Sequence, residues 1–178
     1  MRVEPIRKIA DIERIEHVLR FYSYRDWLTF KFGINTALRI GDVLKLKVWQ
    51  VKERYLSLNE QKTKKLRRFY INSSLRPILT DYVKYMDDED YLFRPIIRNK
   101  YPTNGQFYRS ISTAARICGI ENIGTHSCRK TFGYHFYRKT KDIAMLMEIL
   151  NHASERETLI YIGMMQDEID QSMESFFL

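Results

Sequence analysis

Apolar positions along the chain change their spacing twice, and each change marks a change of element. From Asp11 to about Arg20, and from Ser23 to Gly33, they follow the helical repeat, with Trp27, Leu28, Phe30 and Phe32 directed at a core. Asp11 and Ser23 are the expected N-caps, and Gly33 is the expected end or bend of the second helix. Ile40, Val43 and Leu44 continue at i, i+3, i+4, which predicts a short helix beginning at Arg39. Between Val48 and Asn72 the spacing becomes that of strands. Val48, Trp49 and Val51, then Tyr55, Leu56 and Leu58, then Phe69, Tyr70 and Ile71 are rich in β-formers and predict a small three-stranded antiparallel sheet.

Helical spacing then returns. Ser74 is the expected cap of a helix to about Met86 with Pro77 in its first turn, and residues 94–105 read as a loop. Further helices are predicted over about 106–118, from a Thr125 cap through His126 and Arg129, and over about 142–150. Ser154 and Glu157 have capping-box spacing and open a short helix carrying Tyr161, closed by Gly163. Residues 165–178 predict an acidic amphipathic tail helix ending in Phe176-Phe177-Leu178. The expected class is mainly α with a small sheet, as one domain over 1–178.

Composition narrows the partners. The net charge of +8 makes a polyanion the first to consider. Cys118 and Cys128 are ten apart with no CxxC pattern, so neither a zinc knuckle nor a redox pair is predicted, and the chain reads as cytoplasmic. No apolar run approaches the roughly 20 residues a membrane span needs.

The chemistry-bearing residues fall in three segments. Arg39 stands at a helix start with Asp42 in reach of its guanidinium. Lys62, Lys64, Lys65, Arg67 and Arg68 make the tip of the predicted hairpin basic. His126 and Arg129, at i and i+3, share one face of a helix N-terminus, where amides and dipole favour an anion. His152 and Tyr161 follow. If the substrate is a phosphodiester, two arginines suit the charge that gathers on its non-bridging oxygens. A tyrosine, whose ordinary pKa is about 10, can attack once a histidine accepts its proton, and a lysine can protonate the leaving oxygen. Arg94, Arg98 and Lys100 beside Tyr101, and Arg109 on the next helix, add candidate contacts to DNA. No metal or other cofactor is needed for these roles.

Arg39 in Thr-Ala-Leu-Arg-Ile-Gly-Asp-Val-Leu, His126-x-x-Arg129, Leu150-Asn-His152 and Tyr161 nine residues later resemble the tyrosine recombinase (phage integrase) family across nearly all of the chain. The resemblance implies a catalytic domain that cuts DNA through a 3′-phosphotyrosine at Tyr161 and leaves a free 5′-hydroxyl. It implies that Arg39 and Arg129 clamp the phosphate, His126 acts as base or orienter, and His152 hydrogen-bonds the phosphate. Lys62 is then the general acid, with Lys64 as the alternative. It also implies double-stranded DNA at a specific site, a homo-tetramer on that DNA and an accessory DNA-bending protein. Cys128 stands where leucine is frequent in the family and Asn151 where glycine is. The 38 residues before Arg39 are too few for the family's separate N-terminal DNA-binding domain.

Competing readings are weaker. Cys128 and His126 at i and i+2 point apart, which disfavours a cysteine nucleophile. His17, His126, His135 and His152 lack metal-ligand spacing. Tyr134 and Tyr137 lie among Phe132 and Phe136, where packing explains them. A non-catalytic DNA-binding protein of this fold and a type IB topoisomerase-like enzyme are the alternatives.

Overall fold

The computed structural model describes residues 3–59, 66–95 and 98–177. In chain order its elements are α1 (Ile9–Tyr22), α2 (Tyr24–Thr36), α3 (Ile40–Val43), α4 (Trp49–Lys52), β1 (Tyr55–Asn59), β2 (Leu66–Tyr70), α5 (Arg76–Tyr82), α6 (Asn104–Ile117), α7 (Thr125–Thr140), α8 (Ile143–Leu150), α9 (Glu155–Ile162) and α10 (Met164–Glu174). None of these helices is long and apolar enough to cross a membrane. The fold is mainly helical, as expected, with β1 and β2 paired antiparallel from Tyr55 opposite Tyr70 to Asn59 opposite Leu66.

Among the described residues the sheet has two strands, not three. The first β-rich run is the helical turn α4. Val48 and Val51 are both buried three residues apart, which a helical repeat satisfies and a period of two does not. The Val51 amide accordingly bonds the Val48 carbonyl at 3.1 Å.

Helix α2 is the centre of the packing and lies against α1, α6 and α7. Ile15, Leu28, Phe30, Phe32, Phe107 and Ile111 fill the main core. Gly33 does not end α2. A Cβ there would lie 3.1 Å from both Cys128 Cβ and Ile40 Cδ1, so the missing side chain lets α2 and α7 approach closely. The helix continues to Thr36 and stops at Ala37, which has φ +57°. A second, smaller core of Tyr134, Leu146, Leu150, Ile162 and Met164 joins α7, α8, α9 and α10. Burying one such leucine or isoleucine contributes roughly 1.5–3 kcal/mol. This second core fixes the part of the chain that carries His152 and Tyr161.

Several helix starts differ from expectation. The amides of Asp11 and Ile12 already bond the Lys8 carbonyl, so Asp11 sits in the first turn of α1, where it pairs with Arg14 at 3.1 Å. Asn72, not Ser74, prepares α5, its Oδ1 accepting the Leu75 amide at 2.8 Å. Thr103 and Gln106 form a reciprocal capping box, which starts α6 at Asn104. Ser23 and Ser154 cap α2 and α9 as their spacing predicts, and Asp142 caps α8. The tail helix α10 is tied at its base by Arg7 to Asp167 at 2.9 Å, while Met173, Phe176 and Phe177 remain exposed.

Candidate active site

Helix α7 begins one residue earlier than a cap at Thr125 would place it. Gly124 occupies the cap position, and its amide donates to Ser127 Oγ at 3.1 Å. Thr125 is thus the first helical residue. His126 is exposed, whereas Arg129, one turn on, is 3% exposed. A guanidinium so deep needs partners, and Arg129 finds them in two backbone carbonyls. Its Nη1 donates to Ala37 O at 2.5 Å and its Nη2 to Leu150 O at 2.6 Å. Ala37 belongs to the turn that delivers Arg39, and Leu150 to the turn that delivers His152. Arg129 therefore ties the Arg39 and His152 turns together. The left-handed backbone at Ala37 directs Leu38 inward and starts α3 with Arg39 at its cap position.

Arg39 and His126 face a common cleft of about 170 Å³, lined also by Ile40, Gly41, Asp42, Asn104 and Thr125. Asp42 is buried in this wall.

His152 is set by the end of α8. Asn151 is left-handed at φ +50°, its amide bonds Glu148 O at 3.2 Å, and the His152 amide bonds Met147 O at 3.0 Å. These are the two hydrogen bonds of a Schellman ending. Asn is one of the few side-chain-bearing residues that enter the left-handed region readily, so it serves where glycine would. The His152 Nδ1 lies 3.2 Å from Thr158 Oγ1. That hydroxyl has one proton, spent on Ser154 O at 2.9 Å. Nδ1–H therefore donates to Thr158, and Nε2 carries a lone pair in the neutral ring.

Tyr161 lies on α9, which seats against α7 at Gly133. A Cβ on Gly133 would come within 2.7 Å of Ile162 Cγ2. The Tyr161 ring meets His152 edge to face, with centroids 4.9 Å apart and planes at 86°. Lys130 Nζ stands 5.1 Å from the Tyr161 ring centroid. Burial pushes the Tyr161 phenol above its ordinary pKa, while the charges of Arg129 and Arg39 and hydrogen bonding from Arg129 oppose the rise.

Arg39, His126, Arg129, His152 and Tyr161 thus come from separate segments into one neighbourhood. Lys62, Lys64 and Lys65 lie outside the described residues. Arg67 is half-buried and donates from Nη2 to Glu148 O at 2.8 Å, and Arg68 sets its guanidinium 3.6 Å from the Tyr55 ring centroid. Arg94 pairs with Asp90 at 3.0 Å, while Arg98, Lys100 and Arg109 are exposed. Sequence reasoning missed Lys130, Thr158, Asn104 and the Ala37 carbonyl. Lys130 adjoins Arg129 and Thr158 lies one turn before Ile162, so only the packing of α7 on α9 brings them to the site.

A helical domain of this topology, with two arginines, two histidines and a tyrosine gathered on it, has the architecture of a tyrosine recombinase catalytic domain. Residues 8–167 match the model of the phage integrase family, and the chain belongs to that family of tyrosine-type site-specific recombinases. It is 46% identical over 166 residues to the probable integrase/recombinase YoeC of Bacillus subtilis (strain 168), covering 93% of this chain and 92% of that one. The fold superposes on the crystal structure of XerA recombinase with a TM-score of 0.74 at 22% identity, covering 99% of this chain and 66% of that one. It also matches a lambda integrase tetramer bound to a Holliday junction, with a TM-score of 0.72 at 16% identity over 90% of this chain and 48% of that one. The chain spans about half of the lambda integrase chain.

Proposed function

We propose that this chain cuts and rejoins duplex DNA at a specific site through a covalent 3′-phosphotyrosine at Tyr161. The observation that carries the reading is the double anchoring of Arg129, which joins the Arg39 and His152 turns beside the Tyr161 hydroxyl. In this reading the scissile phosphate enters between Arg39 and Arg129, whose forked N–H groups take its non-bridging oxygens. The raised phenol pKa keeps Tyr161 protonated at rest. The arriving phosphate draws on the two guanidiniums, and the phenol proton passes to His126, exposed at the rim of the cleft. The phenol oxygen bonds phosphorus, the bond to the 5′ oxygen breaks, and the hairpin lysine, Lys62 or alternatively Lys64, protonates that oxygen. His152 holds the phosphate by donating from Nε2, which requires the ring to be protonated on both nitrogens because Nδ1–H is engaged with Thr158. These roles call on no metal. By likeness to the junction-bound lambda integrase tetramer, four copies assemble on DNA, with exposed Ile169 and Met173 of α10 and Phe176 beyond its end packing on a neighbouring copy. The chain works in the cytoplasm on nucleoid DNA.

The test is covalent capture. Protein is incubated with a randomised duplex library carrying nicks that trap cleaved product, and DNA that stays attached after denaturation is recovered and sequenced. One enriched motif is expected, and Tyr161→Phe should recover none while still binding that motif. Attachment without any sequence preference would favour a topoisomerase-like enzyme, and no attachment by the wild type would leave only a DNA-binding role.

A further inference from the structure

Arg67 carries a charge on the basic hairpin, yet it does not stay on the sheet face like its neighbour Arg68, which lies over the Tyr55 ring. Its guanidinium passes 5.2 Å from the Phe69 ring centroid and donates from Nη2 to the Glu148 carbonyl at 2.8 Å. That carbonyl is the one that also receives the Asn151 amide in the Schellman ending of α8. The last carbonyls of a helix lack partners within the helix and carry the negative end of its dipole. Here two guanidiniums serve them, Arg67 at Glu148 and Arg129 at Leu150, one on either side of the residues that turn the chain into His152. Arg129 arrives from α7 and Arg67 from β2, where it pairs with Leu58 one position in from the end of the ladder that leads to residues 60–65, among them Lys62.

We propose that Arg67 is a positioning residue that locks the β1–β2 hairpin to the α8 ending, so that hairpin and His152 settle as one unit. The role rests on the cleavage reading given above. It assigns Arg67 to a contact within the chain instead of to a DNA phosphate, and it gives the hairpin a direct mechanical link to the histidine. A hairpin displaced by its contacts with DNA pulls on the Glu148 carbonyl, and through the Asn151 amide on the turn that orients the imidazole.

Two measurements test it. In the free protein, amide hydrogen exchange over residues 147–153 should rise at least several-fold in Arg67→Gln and return towards the wild-type rate in Arg67→Lys, which keeps one donor and the charge. Unchanged exchange in Arg67→Gln would overturn the proposal whether or not the protein cleaves DNA. On the duplex recovered by covalent capture, Arg67→Gln should slow cleavage by roughly 10-fold to 100-fold, the effect of displacing a group by about 1 Å, with affinity and its salt slope unchanged. The loss should also largely disappear in a His152→Asn background, because both changes act through one side chain. Weaker binding with a salt slope lower by about one would identify Arg67 as a phosphate contact, and full additivity with His152→Asn would place its effect elsewhere; either result overturns the proposal. Absence of adduct in the wild type would instead count against the cleavage reading and leave the exchange result to judge Arg67.

Discussion

Gly133→Ala isolates the seating of α9, the helix of the proposed nucleophile, from the stability of the fold. The alanine methyl would stand 2.7 Å from Ile162 Cγ2, where carbon atoms at rest keep about 3.5–4.0 Å, so α9 must retreat by about 0.8–1.3 Å. Overpacking of this kind costs about 1–3 kcal/mol. Alanine in a helix interior returns about 0.8–1.0 kcal/mol relative to glycine. The net loss of stability is then only about 0–2 kcal/mol, measured as a small shift of the urea midpoint. Tyr161 precedes Ile162 and moves with it, and a displacement near 1 Å costs about 100-fold in rate, about 2.7 kcal/mol of barrier. Cleavage of the captured duplex should therefore fall far more than stability does. Ile162→Leu removes the offending Cγ2 methyl, so the double variant should recover much of the lost rate. A Gly133→Ala protein that cleaves at the wild-type rate, or a double variant no faster than the single, would refute this account of how α9 is held.

Asn151→Ala should cost about 1–2 kcal/mol, because alanine is strained in the left-handed region at φ +50°, whereas Asn151→Gly should leave the urea midpoint nearly unchanged. Ala37→Gly should change stability by less than about 1 kcal/mol in the same assay, despite deleting a side chain that is 0% exposed. It relieves about 1–2 kcal/mol of left-handed strain, against about 0.4–1 kcal/mol of unfolded-state entropy and about 0.8 kcal/mol for the buried methyl. Burial pushes Tyr82 up to about 12 and raises Tyr161 as well, against about 10 in the unfolded chain. The folded state then keeps phenol protons that the unfolded chain has released, so stability is intact below about pH 10 and is lost as pH rises through the folded values. Urea midpoints measured across that window should decline less steeply in Tyr82→Phe.

The candidate site was legible in the sequence because the chemistry proposed for it resides in side chains of fixed type and order. Arg39, His126, Arg129, His152 and Tyr161 read as one candidate set, and Ser23 and Ser154 cap as their spacing says. What stayed hidden depends on backbone geometry and tertiary packing. Gly33 and Ala37 exchange the roles their types suggest: the glycine serves a close helix contact and the alanine takes the left-handed turn. The Val48–Val51 run has strand-forming residues but buries them at helical spacing, so burial overrode propensity. Arg67 and Arg94 read as candidate DNA contacts because composition cannot show that a carbonyl or carboxylate of the same chain waits for them.

The central claim is that Tyr161 is the residue that takes the DNA. Trapped adduct, trimmed by nuclease and digested with trypsin, should carry its nucleotide remnant on the peptide of residues 157–178, with fragmentation placing it on Tyr161. A remnant on Tyr134, Tyr137 or any other residue, or a wild-type protein that never acquires one on its recovered site, would contradict the account.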